Sequence, residues 1–289
     1  MQLALGTVQF GLRYGIAGRG EPVPESEVTA ILQAAWDRGI RMLDTATAYG
    51  DIEERLAGLT QRTEFTFVSK IPPLPSQSDE SMTAEFVDGC VRRCRARLEG
   101  RLAALLFHRG ADLLESMGEV AWQQAQASTH GTGIRLGVSC YSPADLHAIR
   151  ARAGVTMAQL PGNALDQRLL TEGAPAGVEL HLRSALLQGL LMLPVEEGSR
   201  RVVGAGEALS AWARFCSDHG LAPLQAALSV VKGFPGIRYC VLGVDRLEQL
   251  HAALDAWERA RPIRAPELAC TDLDVIDPRR WGAKSMRQE

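Results

Sequence analysis

The sequence has few aromatic residues, no concentration of one charge and no long apolar run. Aromatic side chains make up 6% of its 289 residues, and 31 basic against 34 acidic residues give a formal net charge of −3. A nearly balanced charge without a run of one sign excludes the usual nucleic-acid-binding proteins and proteins that bind anionic membranes. No apolar run reaches the length of a membrane span, and the first residues lack the basic region of a secretory signal. We therefore expect a globular protein of the cytoplasm, with neither nucleic acid nor membrane as a partner.

The six cysteines also lack the spacing of a metal or redox site. They form no CxxC pair and no Cys/His cluster of the kind that binds zinc. Cys90 and Cys94 lie four residues apart in a predicted helix, and we interpret them as core or surface cysteines. Unpaired thiols in this number indicate a reducing compartment. The sequence thus predicts no bound metal.

Short apolar runs alternate with longer amphipathic segments along the whole chain. The predicted strands are Leu3–Gly6, Met42–Asp44, Thr66–Lys70, Ala103–His108, Ile134–Ser139, Met157–Leu160, Glu179–Arg183 and Tyr239–Gly243. Eight strands separated by helices, without a linker, predict one α/β domain over residues 1–289. Eight such units in this length favour a closed (β/α)8 TIM barrel. A doubly wound sheet is expected to carry a GxGxxG turn after its first strand, and "LGTVQFGLRYGIAG" lacks that spacing.

Four helices have start and stop signals. They are predicted over 24–39, 83–98, 142–154 and 245–260, the last two with Ser142 and Asp245 as candidate N-caps. The segment from Gly204 to Pro235 predicts two further helices, inserted before the last strand. The polar tail from about residue 264 is predicted to be irregular and to pack across one face of the domain.

Three neighbouring predicted strands have polar ends. Asp44 ends the second strand and Tyr49 follows in its loop, while Lys70 ends the third strand and His108 the fourth. Each residue alone is more often structural: a turn aspartate, a solvated lysine, a hydrogen-bonded core histidine or a packed tyrosine. In a βα barrel, however, the active site lies at the C-terminal ends of the strands. Four polar side chains at adjacent strand ends therefore predict an active site.

Several segments, in order across nearly the whole chain, resemble the aldo-keto reductases. They are "LDTATAYGDIEERL", "VSK", "LLFHRG", "GVSCYSPADL", "MAQLPGNALDQRLL", "RSALLQGLL" and "VLGVDRLEQL". The resemblance implies a (β/α)8 barrel that transfers hydride from a nicotinamide cofactor to an aldehyde or ketone. It implies that Tyr49 is the general acid, since a carbonyl that accepts hydride develops negative charge on its oxygen.

The other three polar residues would then support this tyrosine. A tyrosine has an ordinary pKa of about 10, and the Lys70 cation is expected to lower it. Asp44 would hold Lys70 charged and oriented. His108 would donate a hydrogen bond that aims the carbonyl oxygen.

The resemblance also implies a set of cofactor contacts. They are Gly6, Thr7, Ser139, Gln159, Arg183, Ser184, Leu186, Gln188, Gly243 and Gln249. Gly6 and Thr7 would border the nicotinamide, and Ser139 with Gln159 would hold its carboxamide. The loop that begins at Ser184 would face the pyrophosphate.

This chain departs from the family pattern at three of these places. Cys140 stands where an asparagine is usual, and Arg183 where a tyrosine commonly stacks on the nicotinamide. A guanidinium is flat and can stack as well, but it would bring positive charge beside a ring that is positive when oxidised. Gly243 and Gln249 stand where NADPH-selective members often have Lys and Arg, with Asp245 nearby and only Arg246 as a possible replacement. NADP(H) is the expected cofactor, and NAD(H) is the alternative.

Two other functions fit parts of the pattern. A cofactor-binding regulatory subunit, similar to the β subunits of potassium channels, can keep the same four residues with little turnover. A barrel hydrolase would need a second acid near Asp44 or an HxH ligand pair, which the sequence lacks. For the enzyme, Val8 in place of the common pocket tryptophan favours a sugar or another small polar carbonyl compound as substrate. We expect a monomer or a weak homo-oligomer.

Overall fold

The computed structural model describes residues 1–18, 20–98 and 100–281. Within them, eight strands form a sheet that closes on itself in the order in which the strands occur in the chain. The strands are β1 Gln2–Gly6, β2 Met42–Asp44, β3 Thr66–Ile71, β4 Leu102–Phe107, β5 Arg135–Ser139, β6 Met157–Pro161, β7 Glu179–Arg183 and β8 Ile237–Gly243. All neighbouring pairs are parallel, and β8 pairs with β1. The prediction of a single-domain (β/α)8 barrel is confirmed.

Three C-terminal strand ends differ from the prediction, and one of them is that of β6, which continues one residue beyond Leu160 to Pro161. β3 continues one residue beyond Lys70, to Ile71, and β4 ends at Phe107, so that His108 follows the strand instead of ending it. The His108 N–H donates to the Ile71 carbonyl over 2.9 Å, which continues the ladder between the two strands for one more bond. His108 is therefore fixed by β3 as well as by its own strand.

The alternation of side chains along the strands divides them between two cores. Ala4, Met42, Val68, Ala104, Leu106 and Met157 form one buried cluster. Residues from non-adjacent strands can meet only inside a closed barrel, so this cluster fills the barrel interior. The intervening apolar residues pack outward against the helices in a larger core. Because the side-chain period of a strand is two, the residues two positions after Met42, Val68 and Met157 also face inward.

The helices surround the sheet. They are α1 Val8–Gly11, α2 Glu25–Asp37, α3 Ile52–Leu59, α4 Glu80–Leu98, α5 Gly118–Thr129, α6 Pro143–Ala153, α7 Arg168–Glu172, α8 Val195–Arg201, α9 Gly206–Asp218, α10 Pro223–Lys232, α11 Leu247–Arg259 and α12 Leu273–Ile276. The two helices predicted before the last strand are α9 and α10. Ser142 caps α6 as predicted, since its hydroxyl accepts from the Asp145 N–H. The prediction of Asp245 as the cap of α11 is wrong, because α11 begins at Leu247 after Arg246.

The tail is more ordered than the sequence suggested. It contains α12 and two 3-10 turns, Pro266–Leu268 and Pro278–Arg280. It is tied to the loop after β6, since the Cys270 N–H donates to the Leu165 carbonyl over 2.9 Å. The final part of the predicted tail, 282–289, lies outside the described residues. No helix in the described ranges is both long and apolar enough to cross a membrane.

Candidate active site

Asp44 and Lys70 form a buried ion pair at the C-terminal end of the barrel. The Lys70 Nζ lies 2.7 Å from Asp44 Oδ1 and also donates to the Thr45 carbonyl over 2.9 Å. Their side chains are 8% and 2% exposed, respectively. Asp44 Oδ2 accepts from the Gln159 amide over 2.7 Å. A buried carboxylate is tolerated here because each of its oxygens has a hydrogen-bond donor.

Tyr49 and His108 stand beside this ion pair. Tyr49 ends a 3-10 turn, Thr47–Tyr49, that follows β2. Its ring centroid lies 5.9 Å from the Lys70 Nζ and 5.9 Å from the His108 ring, which it meets edge-on at 81°. The barrel thus brings together the four polar residues that the sequence singled out.

The pKa of Tyr49 differs from the sequence-based expectation. Burial raises the pKa of this phenol above its usual range, and the negative charge of Asp44 raises it further, while Arg183 lowers it. The expectation that Lys70 lowers the pKa of Tyr49 is therefore wrong. Lys70 is neutralised by Asp44 at 2.7 Å, so the pair as a whole presents little net positive charge to the tyrosine. Tyr49 remains a protonated phenol throughout the physiological range.

His108 is held in its neutral form. Burial, followed by the positive charge of Lys70, lowers the pKa of this histidine to about 4. A neutral imidazole has one N–H donor and one acceptor nitrogen. At neutral pH it can therefore donate a single hydrogen bond without carrying charge into the site.

Glu53, which the sequence reasoning missed, anchors the turn that carries Tyr49. It is fully buried on α3. Its carboxylate accepts from Thr47 over 3.3 Å and from the Ser69 hydroxyl of β3, and it pairs with Arg97 at 3.1 Å. The signal was present in "AYGDIEERL", where an acid inside an otherwise apolar helix face requires buried partners. Glu53 ties the Tyr49 turn to the strand that carries Lys70.

A cavity of about 480 Å³ opens beside Tyr49 and Asp44. Its walls include nine of the predicted cofactor contacts: Gly6, Thr7, Gln159, Arg183, Ser184, Leu186, Gln188, Gly243 and Gln249. The tenth, Ser139, is buried at the end of β5 and does not line the cavity. The structure thus brings the predicted contacts from β1, β6, β7 and β8 to one space.

The loop after β7 has an unusual backbone where it borders this cavity. Ser184, Leu187 and Gln188 have φ angles of 61°, 48° and 52°. Non-glycine residues rarely adopt this left-handed conformation, and such strain clusters at ligand sites. The Gln188 carbonyl accepts from the Ile16 N–H over 3.2 Å, which joins the loop after β1 to the loop after β7. Together the two loops enclose one side of the cavity.

The cavity wall has features that fit a bound dinucleotide. A Cβ atom on Gly243 would lie 2.5 Å from the Gln9 amide, and one on Gly189 would lie 2.6 Å from the Ala17 Cβ. The buried Gln9 Oε1 has no hydrogen-bond partner within the described chain. The two glycines thus make room for Gln9 and Ala17, which line the cavity, and the unsatisfied Gln9 oxygen suits a polar ligand.

One end of the cavity is bordered by the turn between β8 and α11. Asp245 and Gln249 lie there, and Gln249 Oε1 accepts from the Asp245 N–H over 2.7 Å. Among the described residues that line the cavity, Arg183 at the end of β7 is the only Lys or Arg.

Arg183 does not project freely into the cavity. Its guanidinium donates to the Cys140 carbonyl over 3.0 Å and to the Ser184 hydroxyl over 3.3 Å. It lies 4.5 Å from the centroid of the Tyr141 ring. The aromatic residues of this rim, Tyr141 and the cavity-lining Tyr14, were also missed from the sequence, because isolated tyrosines in loops have no local signature.

In the described chain no group of three or more His, Cys, Asp and Glu side chains is arranged to hold a metal ion. All six cysteines, which lie within the described residues, are free thiols.

The sequence matches the model of the Aldo/keto reductase family over residues 2–267. An aldo-keto reductase structure from Pseudomonas aeruginosa is 24% identical, with a TM-score of 0.64 over 89% of each chain. The aldo-keto reductase AKR11C1 from Bacillus halodurans, in a holo form, is 18% identical, with a TM-score of 0.71 over 96% of this chain and 95% of that one. The glycerol dehydrogenase AKR11B4 from Gluconobacter oxydans is 18% identical, with a TM-score of 0.69 over 96% of this chain and 92% of that one. No curated protein matched the sequence. At these identities the solved structures establish a shared fold.

Proposed function

The chain belongs to the aldo/keto reductase family, and we propose that it reduces an aldehyde or ketone to the alcohol with NAD(P)H, using Tyr49 as the proton donor. The observation that carries the proposal is the convergence of Asp44, Tyr49, Lys70 and His108. All four lie at one end of the barrel, and Asp44 and Tyr49 border the 480 Å³ cavity. A cluster of structural residues would not need a cavity at this place.

The predicted contacts around the cavity would hold the cofactor. When bound, the nicotinamide would supply a hydride, which is one proton with two electrons, to the carbonyl carbon. Gly6 and Thr7 after β1 and Gln159 on β6 line the part of the cavity that Asp44 and Tyr49 also border. The strained loop from Ser184 to Gln188 forms a second wall, from which polar side chains can meet phosphates.

The side chains of the protein would donate the proton and orient the groups that exchange it. As the carbonyl carbon gains hydride, the C=O π bond becomes the new lone pair on oxygen, and that oxygen takes the proton of the Tyr49 hydroxyl. Water then reprotonates the tyrosine. The neutral His108 donates a hydrogen bond that aims the carbonyl oxygen at Tyr49. The Lys70–Asp44 pair holds the charges beside the tyrosine in fixed positions. A proton donor of this kind contributes about 10²- to 10⁴-fold in rate.

We propose that the enzyme accepts NAD(H) as well as the family's usual NADP(H). Gly243 and Gln249 support this choice, because neither supplies a positive charge to a 2′-phosphate at the positions where NADPH-selective members often have Lys and Arg. The polar rim formed by Tyr14 and Arg183 agrees with a small polar carbonyl compound as substrate. The free thiols agree with a reducing compartment such as the cytoplasm.

The test is a cofactor-oxidation assay with a panel of sugars, small aldehydes and ketones, run with NADPH and with NADH. Tyr49→Phe should lower kcat by about 10²- to 10⁴-fold and leave the Kd of the cofactor within about twofold. Tyr239→Phe is the matched control, since Tyr239 packs against His181 and does not line the cavity.

Near-normal kcat in Tyr49→Phe would remove this tyrosine from the mechanism. Tight cofactor binding without turnover of any carbonyl compound would favour the regulatory subunit instead.

A further inference from the structure

Several arginines near the mouth of the barrel have an acidic partner, and Arg183 has none among the described residues. Arg168 pairs with Asp166 at 2.7 Å, and Arg279 donates to Asp277 over 2.9 Å. Arg109 likewise pairs with acids on its own loop. Within the described chain, no carboxylate lies within ion-pair distance of Arg183, whose guanidinium contacts a carbonyl, a hydroxyl and an aromatic ring.

The guanidinium of Arg183 belongs to the catalytic end of the cavity. Arg183 lines the same space as Asp44 and Tyr49. Its positive charge lowers the pKa of Tyr49 and of His108. An anion bound to Arg183 would therefore lie close to a carbonyl that accepts the proton of Tyr49.

The side chain is also held in one orientation. Its bonds to Cys140 and Ser184 use two N–H groups, whereas a guanidinium has five. Tyr141, against which it packs at 4.5 Å, is itself contacted by Arg279 at 3.4 Å from the ring centroid. A fixed guanidinium fork loses little entropy on binding and matches the two oxygens of a carboxylate or phosphate.

We propose that Arg183 binds an anionic group of the substrate, so that the enzyme prefers carbonyl compounds that bear a carboxylate or a phosphate. A half-buried cation without a counter-charge is costly, and a substrate anion would supply that charge. The proposal rests on the proposed carbonyl reduction and names its substrate class. It gives Arg183 a role toward the substrate, whereas from the sequence we expected it to border the nicotinamide.

The test compares substrates that differ only in the anion. Succinic semialdehyde is paired with butanal, and glyceraldehyde 3-phosphate with glyceraldehyde. We expect the wild-type kcat/KM to be about 10- to 100-fold higher for the anionic member of at least one pair, the range for a charge-assisted hydrogen-bonded contact. The pair that shows the preference tells whether the anion is a carboxylate or a phosphate.

Three variants assign the preference to Arg183. Arg183→Gln should abolish it, mainly through KM, so that the charged and neutral members of the pair have about the same kcat/KM. Arg183→Lys should restore part of it, because the charge remains while the fork is lost. Arg109→Gln is the control, since Arg109 is paired with Asp112 and Glu115 and does not line the cavity. It should keep the preference.

Binding titrations separate this proposal from the proposed reaction. Succinate and glycerol 3-phosphate are not reduced, and the wild type should bind one of them at least tenfold more tightly than Arg183→Gln does, even if no carbonyl compound turns over. Equal kcat/KM for charged and neutral substrates in the wild type would overturn the proposal. So would an Arg183→Gln variant that binds cofactor more than tenfold more weakly with its substrate preference intact, since Arg183 would then hold the cofactor phosphates.

Discussion

Asp44 has a donor on each carboxylate oxygen, and this arrangement sets the charge that Tyr49 experiences. Lys70 occupies one oxygen and Gln159 the other, both at 2.7 Å. A lysine neutralised at this distance has little field left to stabilise a phenolate nearby. As a result, Tyr49 stays protonated, because its pKa lies above the usual range.

We predict that the rate of carbonyl reduction is nearly independent of pH from about 6 to 9. The proton donor Tyr49 stays protonated over this range, and His108 stays neutral because its pKa is about 4. Alcohol oxidation needs the phenolate as base, so its rate should rise with pH throughout the range, by about tenfold per unit. Steady-state kcat/KM in both directions, measured in constant-ionic-strength buffers, tests this.

An oxidation rate that reaches a plateau below pH 9 would contradict this prediction. If Lys70→Met then moved the plateau to higher pH, the lysine would be lowering the pKa of the tyrosine, as the sequence suggested. The fold of Lys70→Met must be checked first, because it leaves Asp44 buried without its cation, a change that costs about 3–5 kcal/mol.

At the scale of elements, the turn between β8 and α11 governs one end of the cavity. β8 ends at Gly243 and α11 begins at Leu247, so the intervening residues and the first turn of α11 form the wall. Gln249 binds the Asp245 N–H over 2.7 Å, which fixes the turn without supplying a positive charge. The chemistry of this short connection, rather than that of the barrel, is expected to decide between the two nicotinamide cofactors.

We predict that Gln249→Arg shifts cofactor binding toward NADPH. A guanidinium at this position can bind a 2′-phosphate, and a hydrogen bond between charged groups is worth about 1.5–3 kcal/mol, or roughly 10- to 100-fold in Kd. The ratio of the Kd values of NADPH and NADH, obtained by calorimetric titration of wild type and variant, measures the shift.

The matched control is His251→Arg, which adds an arginine to the exposed face of α11 away from the cavity lining. It should leave the ratio unchanged. An equal shift in both variants would mean that general electrostatic attraction, and not a contact at the turn, causes the effect.

At the scale of the whole molecule, folding holds two histidines in their neutral form. Burial lowers the pKa of His108 and also that of His181, which lies on β7 against Tyr239. Glu179, paired through both oxygens with Arg135, has its pKa lowered to about 2. These groups couple the stability of the barrel to pH.

We predict that the free energy of unfolding falls as the pH is lowered from about 6.5 toward 4. An unfolded histidine has a pKa of about 6.5, so between that value and the folded pKa of about 4 for His108 the unfolded chain binds more protons. Stability is then lost on acidification, by at most about 1.4 kcal/mol per pH unit for each histidine. Glu179 should add a second loss below pH of about 4.5, where its unfolded form is protonated but its folded form is not. Urea unfolding at a series of pH values tests this.

His108→Asn should flatten the first part of the curve, whereas His130→Asn, at an exposed position, should not. A wild-type unfolding free energy that is constant between pH 7 and 5 would show that neither buried histidine is coupled to folding.

The sequence by itself determined the eight strands and the polar residues at their ends. Strand formation depends on local alternation, and the same alternation that directs Met42 and Val68 inward also directs Asp44 and Lys70 inward. The sequence determined the helix ends less well than the strands. Ser142 caps α6 as predicted. Asp245 does not cap α11, because the loop geometry places the start of that helix at Leu247.

The tertiary structure alone decided the partners and the charge balance of the site. Gln159 meets Asp44 from 115 positions further along the chain. Arg183, at the end of β7, reaches the carbonyl of Cys140, which follows β5, a strand that does not neighbour β7 in the barrel. The pKa of Tyr49 was predicted in the wrong direction, because it depends on burial and on the position of Asp44 relative to Lys70. Hydrogen bonds and charge interactions depend on distance, and these distances are set only when the barrel closes.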